Sequence, residues 1–350
     1  MASRHLITVA GDVVTEVTVG RGVAVDGSQV VPEGVEGRRV AILTQPATGA
    51  TARRLAGSLA GAGLGTSVEV LPDGEAAKAL AVVEAVYRRL NELELSRHDL
   101  VVGVGGGALT DVAGFVAATY LRGVELVLVP TTLLGAVDAA IGGKTAVNVD
   151  GKNLAGAFHH PVRVLVDLDV LDLLPAELRR QGSAEAVKAG LVGDPALVDL
   201  YERWGPDAPL DDVVNRAIAV KVAVVSADPT ERGRRAWLNY GHTVGHAIEV
   251  VGSLSHGDAV AVGMVAAGEA STLECGFREA ERVVAVLRRL ELPVAAPGLD
   301  PGEVRRLVAL DKKRDLRGLQ MTLLRAVGDP VVTPVGPATV DAALTAVGIR

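Results

Sequence analysis

Between residues 38 and 170, short apolar runs alternate with stretches of helical periodicity, and this alternation constrains the fold more than any other feature. RRVAILTQ (38–45), SVEVLP (67–72), DLVVGVGGG (99–107), ELVLVP (125–130) and RVLVDLDV (163–170) are too short and too rich in Val, Ile and Leu for helices. The segments between them, over 50–62, about 75–93 and from the glycines to Leu121, repeat apolar residues at helical spacing. Strands that are apolar throughout, separated by helices, predict an α/β domain with a mostly parallel sheet covered on both faces. ITVAGDVVTEVTVG (7–20) reads as a strand pair ahead of that series. After Pro175 the pattern turns helical, over 176–192, 211–226, 234–251, 257–274, 277–290 and 302–313, with only LQMTLLRAV (319–327) strand-like. The spacing therefore predicts a Rossmann-like domain over 1–174 and a mainly α-helical domain over 175–350.

With 35 basic against 42 acidic residues, the net charge of −7 gives no footprint for nucleic acid or an anionic membrane. The single cysteine, Cys275, excludes an intramolecular disulfide and a thiolate metal cluster. The N-terminal MASRHLITVAGD lacks the regions of a signal peptide, and the most apolar window, 100–121, is broken by glycines and Asp111. A cytoplasmic protein handling small molecules is expected.

Three groups of residues carry chemistry. GVGGGALTDVAG (103–114) joins a strand to a helix, where glycines let the backbone approach an anion and free N–H groups point at it. Asp111, one turn into that helix, could bond a ribose or orient the loop, and GEAAK (74–78) adds Glu75 and Lys78 after another strand. LNYGHTVGHAIE (238–249) places His242 and His246 on one helix face, SHGDAVAVGM (255–264) begins a helix with His256, and GSAEAVKAG (182–190) carries Glu185 and Lys188. Two histidines and a carboxylate from separate helices can hold Zn²⁺ or a similar ion and leave a position open, although spacing alone does not choose between His242 and His246. Lys144, Lys152, Lys188, Lys221, Arg235, Lys312 and Lys313 lie in apolar, glycine-rich surroundings, where a charge calls for a partner or an anionic ligand. A small, multiply anionic substrate such as a sugar phosphate fits that set.

VGGGALTDVAGFVAATYLRGV, VPTTLLGAVDAAIGGKTAVN, GKNLAGAFHHP, GSAEAVKAG, LNYGHTVGHAIE, HGDAVAVGM and DKK, in this order, closely resemble the 3-dehydroquinate synthases of the sugar phosphate cyclase superfamily. The resemblance runs from about residue 7 to residue 345. It implies a site in the cleft between the two domains, catalytic NAD, one divalent metal (Zn²⁺ or Co²⁺) and a homodimer. The implied reaction converts 3-deoxy-D-arabino-heptulosonate 7-phosphate to 3-dehydroquinate and phosphate, with NAD regenerated in each turnover. By motif, Glu185, His242 and His256 are expected as metal ligands. Asp138, Lys188 and Asn239 are expected at the substrate hydroxyls. Lys144, Asn153, His246 and Lys312 are expected at the phosphate, with Arg122 reaching in from the partner subunit, and Lys221 and Arg235 at the carboxylate. Glu75, Lys78, Gly105, Gly106, Gly107, Asp111, Thr131, Thr132 and Lys152 match NAD-binding positions. The first long strand ends in TQP (44–46), where many members carry an acidic residue. An aminodehydroquinate-type cyclase shares most of these motifs, and a metal-dependent polyol dehydrogenase of related architecture would instead release NADH.

Overall fold

A computed structural model describes residues 2–31, 37–312 and 318–350. The chain forms two compact units, Met1–Leu174 and Pro175–Arg350. The first contains strands β1 (Ser3–Val9), β2 (Asp12–Gly20), β3 (Arg39–Thr44), β4 (Gly65–Val70), β5 (Leu100–Gly105), β6 (Glu125–Pro130), β7 (Lys144–Val147), β8 (Ala155–Phe158) and β9 (Arg163–Asp167). Its helices are α1 (Gly27–Val30), α2 (Gly49–Gly61), α3 (Leu80–Glu92), α4 (Gly107–Thr119) and α5 (Leu168–Asp172). Seven strands make one sheet in the order β1-β2-β9-β6-β5-β3-β4, parallel except for the β1–β2 hairpin.

Sequence alternation explains the layers. On β3 and β5, Val40, Ile42, Val102 and Val104 belong to a buried cluster with Ala52, Leu55 and Leu59 of α2, which recur at helical spacing. The intervening residues face the other side, where a Cβ on Gly103 would lie 2.7 Å from the Ala113 Cβ of α4. Glycine at that point of β5 lets α4 lie close on the sheet. The chain runs from β3 outward to β4 and returns to β5 on the other side of β3. The carboxyl ends of β3 and β5 therefore mark the point where strand order reverses, the usual ligand position in such sheets.

The second unit contains α6 (Ala176–Gly193), α7 (Pro195–Trp204), α8 (Leu210–Ala227), α9 (His242–Gly252), α10 (His256–Cys275), α11 (Ala280–Arg289), α12 (Pro301–Lys312) and α13 (Pro337–Ala346). A small antiparallel pair, β10 (Gln320–Ala326) and β11 (Asp329–Pro334), completes it. Helix α10 is buried on nearly every side, as expected of a central helix made of Ala, Val and Gly. A Cβ on Gly257 would sit 2.2 Å from the Gln181 carbonyl oxygen of α6, and one on Gly263 would sit 1.9 Å from the Gly241 carbonyl oxygen. Only glycine permits both approaches. Among the described residues, no helix is long and apolar enough to cross a membrane.

Candidate functional site

The close packing of α10 against α6 and the start of α9 brings Glu185, His242 and His256 together, with one ligand atom from each lying within 4.8 Å of the others. The Glu185 Oε1 atom is 3.1 Å from His256 Nε2 and 3.5 Å from His242 Nε2, while its second oxygen pairs with Lys188. Glu185 and Lys188 are buried, three residues apart on α6. Each histidine has its other ring nitrogen engaged. His242 Nδ1 is 3.2 Å from the Tyr240 carbonyl oxygen, and His256 Nδ1 is 3.0 Å from Glu249 Oε2. A carbonyl only accepts, so the His242 proton sits on Nδ1 and its Nε2 turns a lone pair toward the Glu185 oxygen. Lone pairs that converge in this way call for a cation, and two imidazoles with a carboxylate are the donor set of a catalytic divalent metal with an open position.

The electrostatics agree. Burial opposes ionisation of Glu185, but the Lys188 ammonium, with the hydrogen bond from His256, outweighs it and holds the carboxyl well below its usual range. Burial and the Lys188 charge push His242 down, so it is neutral and able to coordinate. Burial also opposes a charge on His256, yet hydrogen bonds to Glu185 and Glu249 raise it to about 10. A cation on Nε2 would take the place of that proton.

The α10 N-terminus is fixed by its sequence. Ser255 caps it, accepting from the Asp258 amide at 3.3 Å and donating to Asp258 Oδ2 at 2.8 Å. Arg180 of α6 grips the same carboxylate with both terminal nitrogens, at 2.5 and 3.2 Å. One clamp thus ties the helix carrying Glu185 to the helix that begins with His256. The His246 ring stands edge-on to His242, 5.1 Å between centroids, and 6.0 Å from His256. It is exposed, and desolvation with the two neighbouring imidazoles holds it below the ordinary imidazole range.

In the first unit, α4 opens on Gly106 without a capping side chain, at the carboxyl end of β5. The helix's first-turn N–H groups are therefore available to an anion. A Cβ on Gly105 would lie 2.4 Å from Leu109 Cδ2, so the turn needs glycine there. Lys78 is buried, pairs with Asp111 Oδ2 at 2.5 Å and also contacts the Asn153 side-chain oxygen. Burial raises Asp111 to about 6 against the opposing charge of Lys78, with Glu75 and Asp138 adding to the rise. Glu75 accepts from Asn148 Nδ2 at 2.9 Å, and Asn148 Oδ1 accepts the Asn153 amide at 2.9 Å. Glu75 and Lys78 sit on a 3₁₀ turn, Gly74–Lys78, rather than within the long helix the spacing predicts. Thr131 donates its amide to the Gly105 carbonyl at 2.9 Å, and its buried hydroxyl has no partner among the described residues. Thr132 Oγ1 accepts the Gly135 amide at 3.1 Å.

The remaining expected residues fall as follows. Asp138 is half-buried on a π-helical turn, Gly135–Ala139; Lys144, Lys152 and Asn153 are exposed on or beside the β7–β8 hairpin. Gln45 turns its amide onto the Pro72 and Gly74 carbonyls at 2.9 and 3.1 Å. Lys221 is buried on α8 and Arg235 in the 3₁₀ segment Arg234–Asn239, where Arg235 Nη1 donates to the Pro229 carbonyl at 2.6 Å. Asn239 donates to Glu231 at 3.1 Å. Arg122 is exposed in a turn where Leu121, Arg122 and Gly123 have φ of 48°, 67° and 122°. Lys312 ends α12, but its side chain lies outside the described residues, as does Lys313. Glu249 carries no role in the sequence reading. Its helical spacing of seven from His242 was visible, but its partner lies on another helix.

The family model for the 3-dehydroquinate synthase N-terminal region matches residues 68–181, and that for the C-terminal region matches 182–314. A curated 3-dehydroquinate synthase from Thermobifida fusca is 44% identical over 329 residues, covering 91% of this chain and 89% of its own length. The chain belongs to the 3-dehydroquinate synthase family. Its fold extends across the wider superfamily. A solved 2-deoxy-scyllo-inosose synthase, complexed with carbaglucose-6-phosphate, NAD⁺ and Co²⁺, matches at TM-score 0.87 and 27% identity, over 98% of this chain and 99% of that one. The 2-epi-5-epi-valiolone synthase of Streptomyces hygroscopicus subsp. jinggangensis, with NAD⁺ and Zn²⁺ bound, matches at 0.87 and 29%, over 97% and 98%. In this member of the family, the two residue groups above occupy separate units: Glu185, His242 and His256 in one, Lys78 and Asp111 in the other.

Proposed function

We propose that this chain is a 3-dehydroquinate synthase, converting 3-deoxy-D-arabino-heptulosonate 7-phosphate to 3-dehydroquinate and phosphate. The observation that carries the reading is the convergence of Glu185 Oε1, His242 Nε2 and His256 Nε2 within 4.8 Å, in a chain of this family. The substrate's carbon-5 hydroxyl is oxidised, which makes the proton on carbon 6 acidic, and phosphate then leaves carbon 7 by β-elimination. The carbonyl is then reduced again, the ring opens and an intramolecular aldol step closes the carbocycle. When bound, NAD supplies transient hydride acceptance and the divalent metal supplies polarisation of the hydroxyls.

The chain's own residues place and charge the substrate. Glu185, His242 and His256 hold the metal; Asp138, Lys188 and Asn239 contact the hydroxyls. Lys188 stabilises an alkoxide as the hydroxyl gives up its proton, a role its burial against Glu185 supports. Lys144, Asn153, His246 and Lys312 receive the phosphate, and Lys221 and Arg235 the carboxylate. The uncapped start of α4, with Gly105, Gly106 and Gly107, receives the NAD pyrophosphate, and Glu75, Lys78, Asp111, Thr131, Thr132 and Lys152 its remaining polar groups. The buried Thr131 hydroxyl and the Lys78–Asp111 pair support that placement. A homodimer with Arg122 crossing to the partner site accounts for an exposed arginine on a turn of three left-handed residues.

Supplying the heptulosonate phosphate with NAD⁺ and Co²⁺ tests the reading. Phosphate and dehydroquinate should appear in equal amounts. Release of neither product would instead point to a cyclase acting on another sugar phosphate.

A further inference from the structure

Glu249 belongs to no part of the proposed machinery, yet its carboxylate lies against a proposed metal ligand. It sits on α9 seven residues after His242, so both project from one side of the helix. Its side chain is 12% exposed, and Oε2 is 3.0 Å from His256 Nδ1. We propose that Glu249 is a positioning residue for the metal, fixing the ring orientation and tautomer of His256. This rests on the metal reading above.

The two histidine ligands differ in how they are held. His242 is buried and its Nδ1 bonds a main-chain carbonyl, which cannot move without moving the loop ahead of α9. His256 is the first residue of α10, and its side chain is 32% exposed. Its ring therefore needs an outer partner to keep Nε2 aimed at Glu185. A carboxylate at Nδ1 makes the imidazole a stronger donor than a carbonyl would. Glu249 also sets the charge of the site. Because Lys188 pairs with Glu185, that ligand's charge is largely offset, and Glu249 restores a net negative charge for a divalent cation.

The test is a Co²⁺ titration of chelator-stripped protein against a competing chelator, with the visible spectrum of bound Co²⁺ recorded alongside. Glu249→Ala should bind Co²⁺ about 10–100-fold more weakly than the natural chain, with a shifted absorption band. Glu249→Gln, which keeps an acceptor for Nδ1–H but loses the charge, should fall between the two. Both variants binding Co²⁺ within twofold of the natural chain, with the same band, would overturn the proposal. If Glu249→Ala does not fold, Glu249→Gln is judged alone by that criterion. A natural chain that takes up no Co²⁺ would overturn the metal reading itself.

Discussion

His256 has a carboxylate at each ring nitrogen, and this makes it the residue whose protonation governs the site. Its folded value of about 10 lies above the ordinary imidazole value of 6.5. Without a bound cation, its contribution to stability is fully present below pH 6.5 and is lost as pH rises through 10. Chelator-stripped protein should therefore melt at lower temperature at pH 9.5 than at pH 7 through this group, and His256→Ala should flatten that slope. A cation competes with the same proton, so metal affinity should climb over the same window, with about one proton released per ion by calorimetry in buffers of different ionisation enthalpy. His256→Ala should lose the metal and stay folded, whereas His246→Ala should keep it and lose affinity for inorganic phosphate. Loss of metal from His246→Ala would move that residue into the coordination sphere. Lys144→Ala should retain metal while kcat/KM for the phosphorylated substrate falls by roughly one to two orders of magnitude, the effect of a lost charge-assisted contact.

Elements decide whether those residues meet. The helix–helix contacts around α10 depend on Gly257 and Gly263, where a Cβ would penetrate a neighbouring backbone carbonyl. Gly263→Ala should cost about 1–3 kcal/mol or more in denaturant unfolding and also weaken metal retention, because α9 and α10 must separate to admit the methyl group. An unchanged midpoint would mean that the contact relaxes freely. The sequence made the long helices and β3, β5 and β6 legible, because their apolar spacing is unbroken. It did not reveal the stop inside 234–251, where Gly241 at φ 80° separates the 3₁₀ segment from α9 and turns His242 into the site. The β7–β8 hairpin was hidden because four-residue strands, KTAV and AGAF, are too short to carry a period. β11, which contains Pro330 and ends at Pro334, and the alanine-rich α13 were missed for similar reasons. Glu185 and the three histidines were legible as motifs. Which histidine faces Glu185, and that Glu249 backs His256, are facts of tertiary packing that spacing along one helix does not contain.

At the scale of the molecule, each unit supplies one kind of chemistry. The parallel sheet of the first presents a glycine turn where its strand order reverses; the helices of the second gather a carboxylate and two imidazoles. A dehydrogenase would use the same two parts and release reduced cofactor with every turnover. The proposed reaction instead returns the hydride to the same substrate before it leaves, so that the net reaction is elimination and ring closure. Turnover on substoichiometric NAD⁺ measures this directly. With substrate at least a hundredfold in excess over about one NAD⁺ per protein, dehydroquinate formation should run to completion with no growth of NADH absorbance. A reaction that halts after one equivalent, with NADH accumulating in step, would contradict the claim.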